Sequence, residues 1–547
     1  MTKTTLLFCF ILAAPIPAVP GQGHDAAPAA KPATLFQGLG HLHHPIRTSS
    51  PEAQRFFDQG LTLVYAFNHE EAARSFQQAA ELDPRSPMPF WGIALAVGPN
   101  YNMDVDPDRE KQAYDAIQKA LVLSNDAPAI ERDYCAALGK RFSNDPKADL
   151  HQLALNYKDA MRDLAARYPD DPDAGTLYGE SMMDLHAWQL WTLDGKPGEY
   201  TEEIIAVLRS VLRREPDHIG ANHYYIHALE ASPQPEDALL SAKRLETTAP
   251  AAGHLVHMPA HIYARTGNYE GAEKANVAAA AADVAYVHAS GAAGGLYDMM
   301  YYSHNLHFLA AACNMEGRLA CARQAADKLA AHVAPGVKQM SMLEWFMPYS
   351  TFVRIRFARW DEVLGQPAPD ASMPLTTAIW HYARGLAYAA KGDVPKAGAE
   401  RQQLADAVEK TPADAPYGYN TARAFLTIAE QTLDARVAAA KGDRKTAIDD
   451  LRQAVAGQDA FNYDEPPDWY YPVRESLGAT LLLDGQAAEA EKVFREDLGR
   501  NPRNGRSLFG LWKSLEAQGK SADAVWVKSQ FDAAWKNADV KLALEDL

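Results

Sequence analysis

Apolar residues along this chain recur with the spacing of amphipathic helices, and the helices come in pairs. Between Pro51 and Pro84, Ala53, Phe56, Gly60, Leu61 and Tyr65 share one face of a first helix, and Ala72, Phe76, Ala79 and Leu82 share one face of a second. Steps of three and four residues of this kind mark helices with one buried side. Asn68 stands where a side-chain oxygen would cap the second helix, and Pro84 stops it. Residues 86–125 read as a second pair with a long connection over 98–107; 127–169 and 172–215 read as longer variants, the latter broken at 188–197. Further pairs follow at 218–250, 252–286 and 298–334, then at 378–408 and 421–455. Gly392, Gly442, Gly485 and Gly519 fall where the turn inside a pair requires a positive φ. The pattern predicts an all-α solenoid of about twelve helix hairpins, with no strand pattern.

The repeat has a measurable period. Pro216 and Pro250, His223 and His257, His227 and His261, and Gly485 and Gly519 are each 34 residues apart, the length of a tetratricopeptide (TPR) helix–turn–helix unit. A proline- and glycine-bearing stretch over 333–347 and 365–374 divides the array into an N-terminal lobe, 51–335, and a C-terminal lobe, 336–547.

The period also copies chemistry. Nine of the 18 histidines lie between His218 and His307. Within His223/His227 and His257/His261 the separation is four residues, so both rings of a pair leave one helix face. His304 and His307, three apart, follow the glycine-rich insertion 290–295 and continue that face. Stacked first helices would gather these six imidazoles on one wall, with His254 in reserve. Imidazole suits zinc, copper, iron and nickel, and the nearby Met258 thioether would favour copper. A transition metal, copper, zinc or iron, is the expected cofactor, held by His223, His227, His254, His257, His261, His304 and His307. Two other readings stand beside it. In one, the chain is a scaffold for a protein or peptide whose histidines are hydrogen-bonding contacts, or merely cap and pack duplicated repeats. In the other, a histidine-bound metal activates water, with Glu230 as general base. No phosphate-binding loop, Gly-x-Ser-x-Gly or His-Glu-x-x-His motif is present. The loop Tyr463-Asp-Glu-Pro-Pro-Asp-Trp469-Tyr-Tyr-Pro472 is read as a cover over the joint between repeats, or a second contact surface.

Charge and termini narrow the setting. A net charge of −17 and a pI near 5.5 argue against nucleic acid and against anionic lipid. Residues 1–23 read as a cleaved signal peptide: Lys3, an apolar run over 6–14 too short to cross a bilayer, then small residues. The mature chain would be secreted or periplasmic, with no membrane insertion. Residues 24–50, rich in Ala and Pro near their start and carrying His41, His43 and His44, read as a mobile leader. Export leaves Cys135, Cys313 and Cys321; Cys313 and Cys321 flank a turn and can pair in an oxidising compartment, though they read more simply as buried small residues.

The repeat units resemble TPR proteins over residues 51–540. Several segments are similar to those of a group of exported bacterial TPR proteins: His44-Pro-Ile, Phe67-Asn-His-Glu-Glu-Ala72, Gly98-Pro-Asn-Tyr-Asn102, the stretches around His223–Glu230, Gly253–Tyr263 and His304–Leu309, and Tyr463-Asp-Glu-Pro-Pro467. The resemblance implies the fold and export, and adds no chemistry.

Overall fold

The computed structural model describes residues 33–547, so the signal-sequence reading and the first part of the leader lie outside the described residues. From Pro51 the chain is a succession of helix hairpins, twelve among the described residues, from Pro51–Tyr65 with His69–Leu82 to Gly505–Ala517 with Ser521–Ala534. Each helix packs on its hairpin partner and on the next hairpin, which makes a TPR-type α-solenoid. The first hairpin forms as its pattern dictates. The Ser50 side chain accepts the Ala53 N–H, Asn68 accepts the Glu71 N–H, and Phe56, Phe57, Leu61 and Phe76 are buried between the two helices. Gly392 and Gly485 close their turns at φ of 76° and 81°. The one ladder among the described residues is a two-residue antiparallel contact, Pro416–Tyr417 with Asn420–Thr421, too short to leave a period-two signal.

Three features differ from the sequence reading. The segment from 33 to 50 does not stand free. Leu39, His44 and Ile46 are buried, the Phe36 N–H donates to Gln59, and the Ala251 N–H donates to the Gly38 carbonyl. His44 is not part of a solvated leader: its Nδ1 lies 2.7 Å from Asp173, which also receives Tyr65 OH and faces His218. Next, Cys313 and Cys321 form a disulfide across the turn between Ser303–Met315 and Leu319–Val333. Finally, the hydrophobic core divides into two clusters that meet along Tyr269–Ser290 and Ser303–Met315, ahead of the proline-rich bend.

The solenoid curls far enough for its C-terminal part to meet the central repeats. Lys536 pairs with Glu270, and the Leu319 N–H donates to Asp539. Gly267 lies so close to the Pro502 carbonyl that a Cβ would collide with it. Two C-terminal loops reach further, over the wall that carries the histidines: Tyr419 stacks on Trp188, and Glu465 lies against His261.

Candidate metal centre

The histidines sit on first helices, the earliest of which is buried on every side. All twelve residues of Ile219–Glu230 are buried, because the next hairpin, the first hairpin and the C-terminal loops enclose that helix. His218 caps it, its Nδ1 accepting the Ala221 N–H. The next first helix is interrupted. Pro259 has no N–H to donate, and two short helices result, Gly253–His257 and Pro259–Arg265. Met258 keeps helical dihedrals, so His257 and His261 still share a face across the break. A π-turn over Asp298–Tyr302 leads into Ser303–Met315 and sets His304 in its first turn.

Six rings fall into two trios, each with three ligand atoms within 4.8 Å of one another: His223, His227 and His254, then His257, His261 and His304. In the first trio, His223 donates its Nδ1–H to the Tyr65 carbonyl at 2.6 Å, which leaves Nε2 as a lone pair 3.1 Å from His254 Nε2. His227 Nδ1 lies 2.9 Å from Glu230 Oε1; a carboxylate only accepts, so the lone pair falls on His227 Nε2, which is buried and has no partner. His254 Nδ1 is likewise buried without a partner. The Phe67 ring floors this trio, with centroids 4.5, 5.2 and 5.7 Å from His223, His254 and His227.

In the second trio, His257 donates its Nδ1–H to Asn276 Oδ1 at 2.7 Å. The orientation of that amide is fixed because Asn276 Nδ2 donates to the Ala272 carbonyl. His257 Nε2 then faces His261 Nε2 at 2.7 Å. His261 Nδ1 lies 2.6 Å from Glu230 Oε2 and 2.9 Å from Glu465 Oε2. The His257 Nδ1–H is engaged and His261 Nδ1 lies against two carboxylates, so the two inner nitrogens can approach only if a proton or a cation lies between them. The His304 ring is 4.7 Å from His257 and, unlike the other five, only half-buried.

Burial and the neighbouring imidazoles hold the pKa values of His223, His254, His257 and His304 well below the ordinary histidine value, so these rings are neutral at pH 7 and offer lone pairs. His261 behaves differently. Burial pulls its pKa down, but the carboxylates of Glu230 and Glu465 overcome that and raise it to about 10. Burial pushes Glu230 up, and the His227 and His261 rings override it to leave the carboxyl at about 2. Glu465 is carried by burial up to about 7 in spite of His261.

No family model matches the chain, and no curated protein matches it. Among solved structures, a human IFIT1 dimer with m7Gppp-AAAA is similar at 15% identity over 89% of this chain and 91% of that one, with a TM-score of 0.31. The TPR domain of P58(IPK) is similar at 11% identity over 86% and 99%, TM-score 0.21. Ypp1 is similar at 9% identity over 90% and 82%, TM-score 0.43. Scores this low say nothing of a ligand; the solenoid rests on the hairpin succession itself.

Of the seven histidines singled out in the sequence, six converge. His254, held there in reserve, completes the first trio. His307 does not join: its ring packs instead among Trp345, Phe346 and Tyr349, with centroid distances of 5.7, 5.7 and 4.3 Å. Burial there lowers its pKa to about 3, and its Nδ1 has no partner. Sequence reasoning missed the oxygens that orient the rings, from Tyr65, Asn276 and Glu465. Asn276 lies 19 residues beyond His257 on the facing helix, and Glu465 is 204 residues beyond His261, so no local spacing reveals either. The aromatic loop around Trp469 packs on Phe352, Tyr382 and Phe425 and delivers Glu465 to His261.

Proposed function

We propose that this chain is an exported helical-repeat protein that binds transition-metal ions through His223, His227 and His254 and through His257, His261 and His304. One observation carries the reading. The outer nitrogens of His223, His227, His257 and His261 each face a carbonyl, carboxylate or amide oxygen, and this turns their inner nitrogens toward one another. Oxygen partners of that kind fix the tautomer and aim of metal-binding imidazoles. The set is nitrogen-rich and lacks a thiolate, which suits copper, zinc or iron.

Elemental analysis of purified protein tests this. Copper, zinc or iron is expected above background in the wild type and reduced to background in a chain carrying His227→Ala and His261→Ala. A wild type without metal after exposure to each ion rejects the reading.

Two other uses of the site fit less well. Both oxygens of Glu230 face imidazole nitrogens, so Glu230 orients ligands instead of serving a substrate as base. A peptide along the concave wall meets Glu465 and Tyr419 already seated there. Export has its own test in thiol counting. In denaturant without reductant, a processed chain with the Cys313–Cys321 bridge reacts at Cys135 alone. A second reactive thiol, Cys9, means that the first residues were retained and export processing did not occur.

A further inference from the structure

The two trios are copies of one motif, one repeat apart. His223 and His227 recur 34 residues on as His257 and His261. The third member recurs too. His254 precedes His257 by three residues, and His304 precedes His307 by three, so His254 and His304 occupy one position in successive first helices. Each trio is therefore an i, i+4 pair from one first helix plus a single imidazole from the next. The series stops at His307, where the residue four further on is Ala311 and the neighbouring rings are aromatic.

Resting on the metal-binding reading above, we propose that the wall holds two metal ions, one in each trio, and that Glu230 links them. Three imidazoles with one position left open form a complete ligand set for a first-row ion. Metal–nitrogen distances of about 2.0–2.1 Å let one ion gather nitrogens no more than about 4 Å apart. The six rings are too extended for that. The row His223, His254, His257, His304 advances in centroid steps of 4.9, 5.7 and 4.7 Å. The trios touch where His227 meets His261, at 5.7 Å, and where His254 meets His257, also at 5.7 Å. Two ions would then lie within one helix-packing distance, at most roughly 8–10 Å. Glu230 spans that contact, with Oε1 2.9 Å from His227 of one trio and Oε2 2.6 Å from His261 of the other. One carboxylate thus aims a ligand into each site. The unpartnered, buried Nε2 of His227 is a second sign that the first trio is built to receive a cation independently of the second.

Zinc titration of the metal-free full chain, followed by native mass spectrometry, counts the ions. Two zinc ions per wild-type chain are expected. The pair of changes His223→Ala and His254→Ala should leave one, the pair His257→Ala and His304→Ala should also leave one, and the four together none. Glu230→Gln should weaken both sites, by about 10–100-fold, as loss of an orienting partner does elsewhere. Saturation of the wild type at one ion overturns the paired-site inference while leaving metal binding intact. Zero ions overturns the functional reading itself. Should either double variant lose both ions or neither, the trios are not independent sites and the inference fails. The wild-type count decides the matter even where a variant does not fold.

Discussion

At the scale of single residues, the site is built from positions that work against local preference. Phe67 occupies the turn of the first hairpin at φ of 55°, a region where most turns in this array place glycine. Left-handed backbone costs a non-glycine residue about 1–2 kcal/mol. The compensation is packing: the ring is 1% exposed and lies beneath three imidazoles. Phe67→Gly should relieve the backbone and remove the floor of the first trio. Truncation of a buried Phe costs about 3–5 kcal/mol, so with about 1–2 kcal/mol relieved the net loss should be about 1–4 kcal/mol. That is less than for Phe76→Ala, whose backbone is helical. Urea unfolding of the two metal-free variants gives the ranking; an equal or larger loss for Phe67→Gly would mean that the turn carries no strain. The histidines make the same point about residues. Their identity and order were legible, but which nitrogen faces inward depends also on Tyr65, Asn276 and Glu465, all supplied by packing.

At the scale of elements, close approach of helices sets where the rings stand. Gly253 opens the broken first helix against Tyr269–Ser290, and a Cβ there would collide with the Asp283 carboxylate and approach the Ala279 carbonyl to 3.0 Å. That carboxylate is itself fixed, accepting from Tyr297 OH at 2.9 Å and from Asn305 at 2.5 Å. Gly253→Ala therefore has to push the helix outward. Overpacking of this kind costs about 1–3 kcal/mol, and the displacement should also carry His254 and His257 out of register. Thermal unfolding and zinc affinity, measured on the same sample, should both fall. A variant with lowered stability but unchanged zinc affinity would show that the helix absorbs the clash without moving its rings. The break at Pro259 belongs to this scale as well: the period-34 alignment ran a single helix through it, because spacing alone does not register a missing N–H.

At the scale of the whole molecule, long-range polar contacts tie the segment before the first repeat to the fourth hairpin. Asp173, 4% exposed, faces His44, His218 and Tyr65 OH. Burial would raise its pKa, and the hydrogen bonds from His218 and His44 reverse that and hold it well below the carboxylate range. Burial would lower His44, and the hydrogen bond and charge of Asp173 raise it instead. The signs define a window. The depressed Asp173 contributes stability above its unfolded pKa of about 4, lost as pH falls. The raised His44 contributes in full below its unfolded pKa of about 6.5, lost as pH rises through its folded value. The gap in melting temperature between wild type and Asp173→Asn should therefore be widest between about pH 4 and 6.5, where loss of a buried charged partner costs about 3–5 kcal/mol. Calorimetry across pH 3 to 9 checks it; a gap that does not change with pH would assign the contact to packing alone.

The helix pairs, their caps and glycine turns, the 34-residue period and the paired histidines could all be read from the chain, because each depends on residues within a turn or a repeat of one another. His304 and His307 mark where that reading stops. Both belong on one helix, three residues apart, yet one closes a histidine trio and the other is walled in by Trp345, Phe346 and Tyr349. The direction of each ring is set by what the next helix presents, and the chain does not encode that in its spacing. Glu465 and Tyr419 reach the site only because the accumulated rotation of the intervening hairpins brings two C-terminal loops back over the middle repeats. Local periodicity determined the paired histidines and the scaffold; superhelical closure decided how they are buried, oriented and divided into two trios.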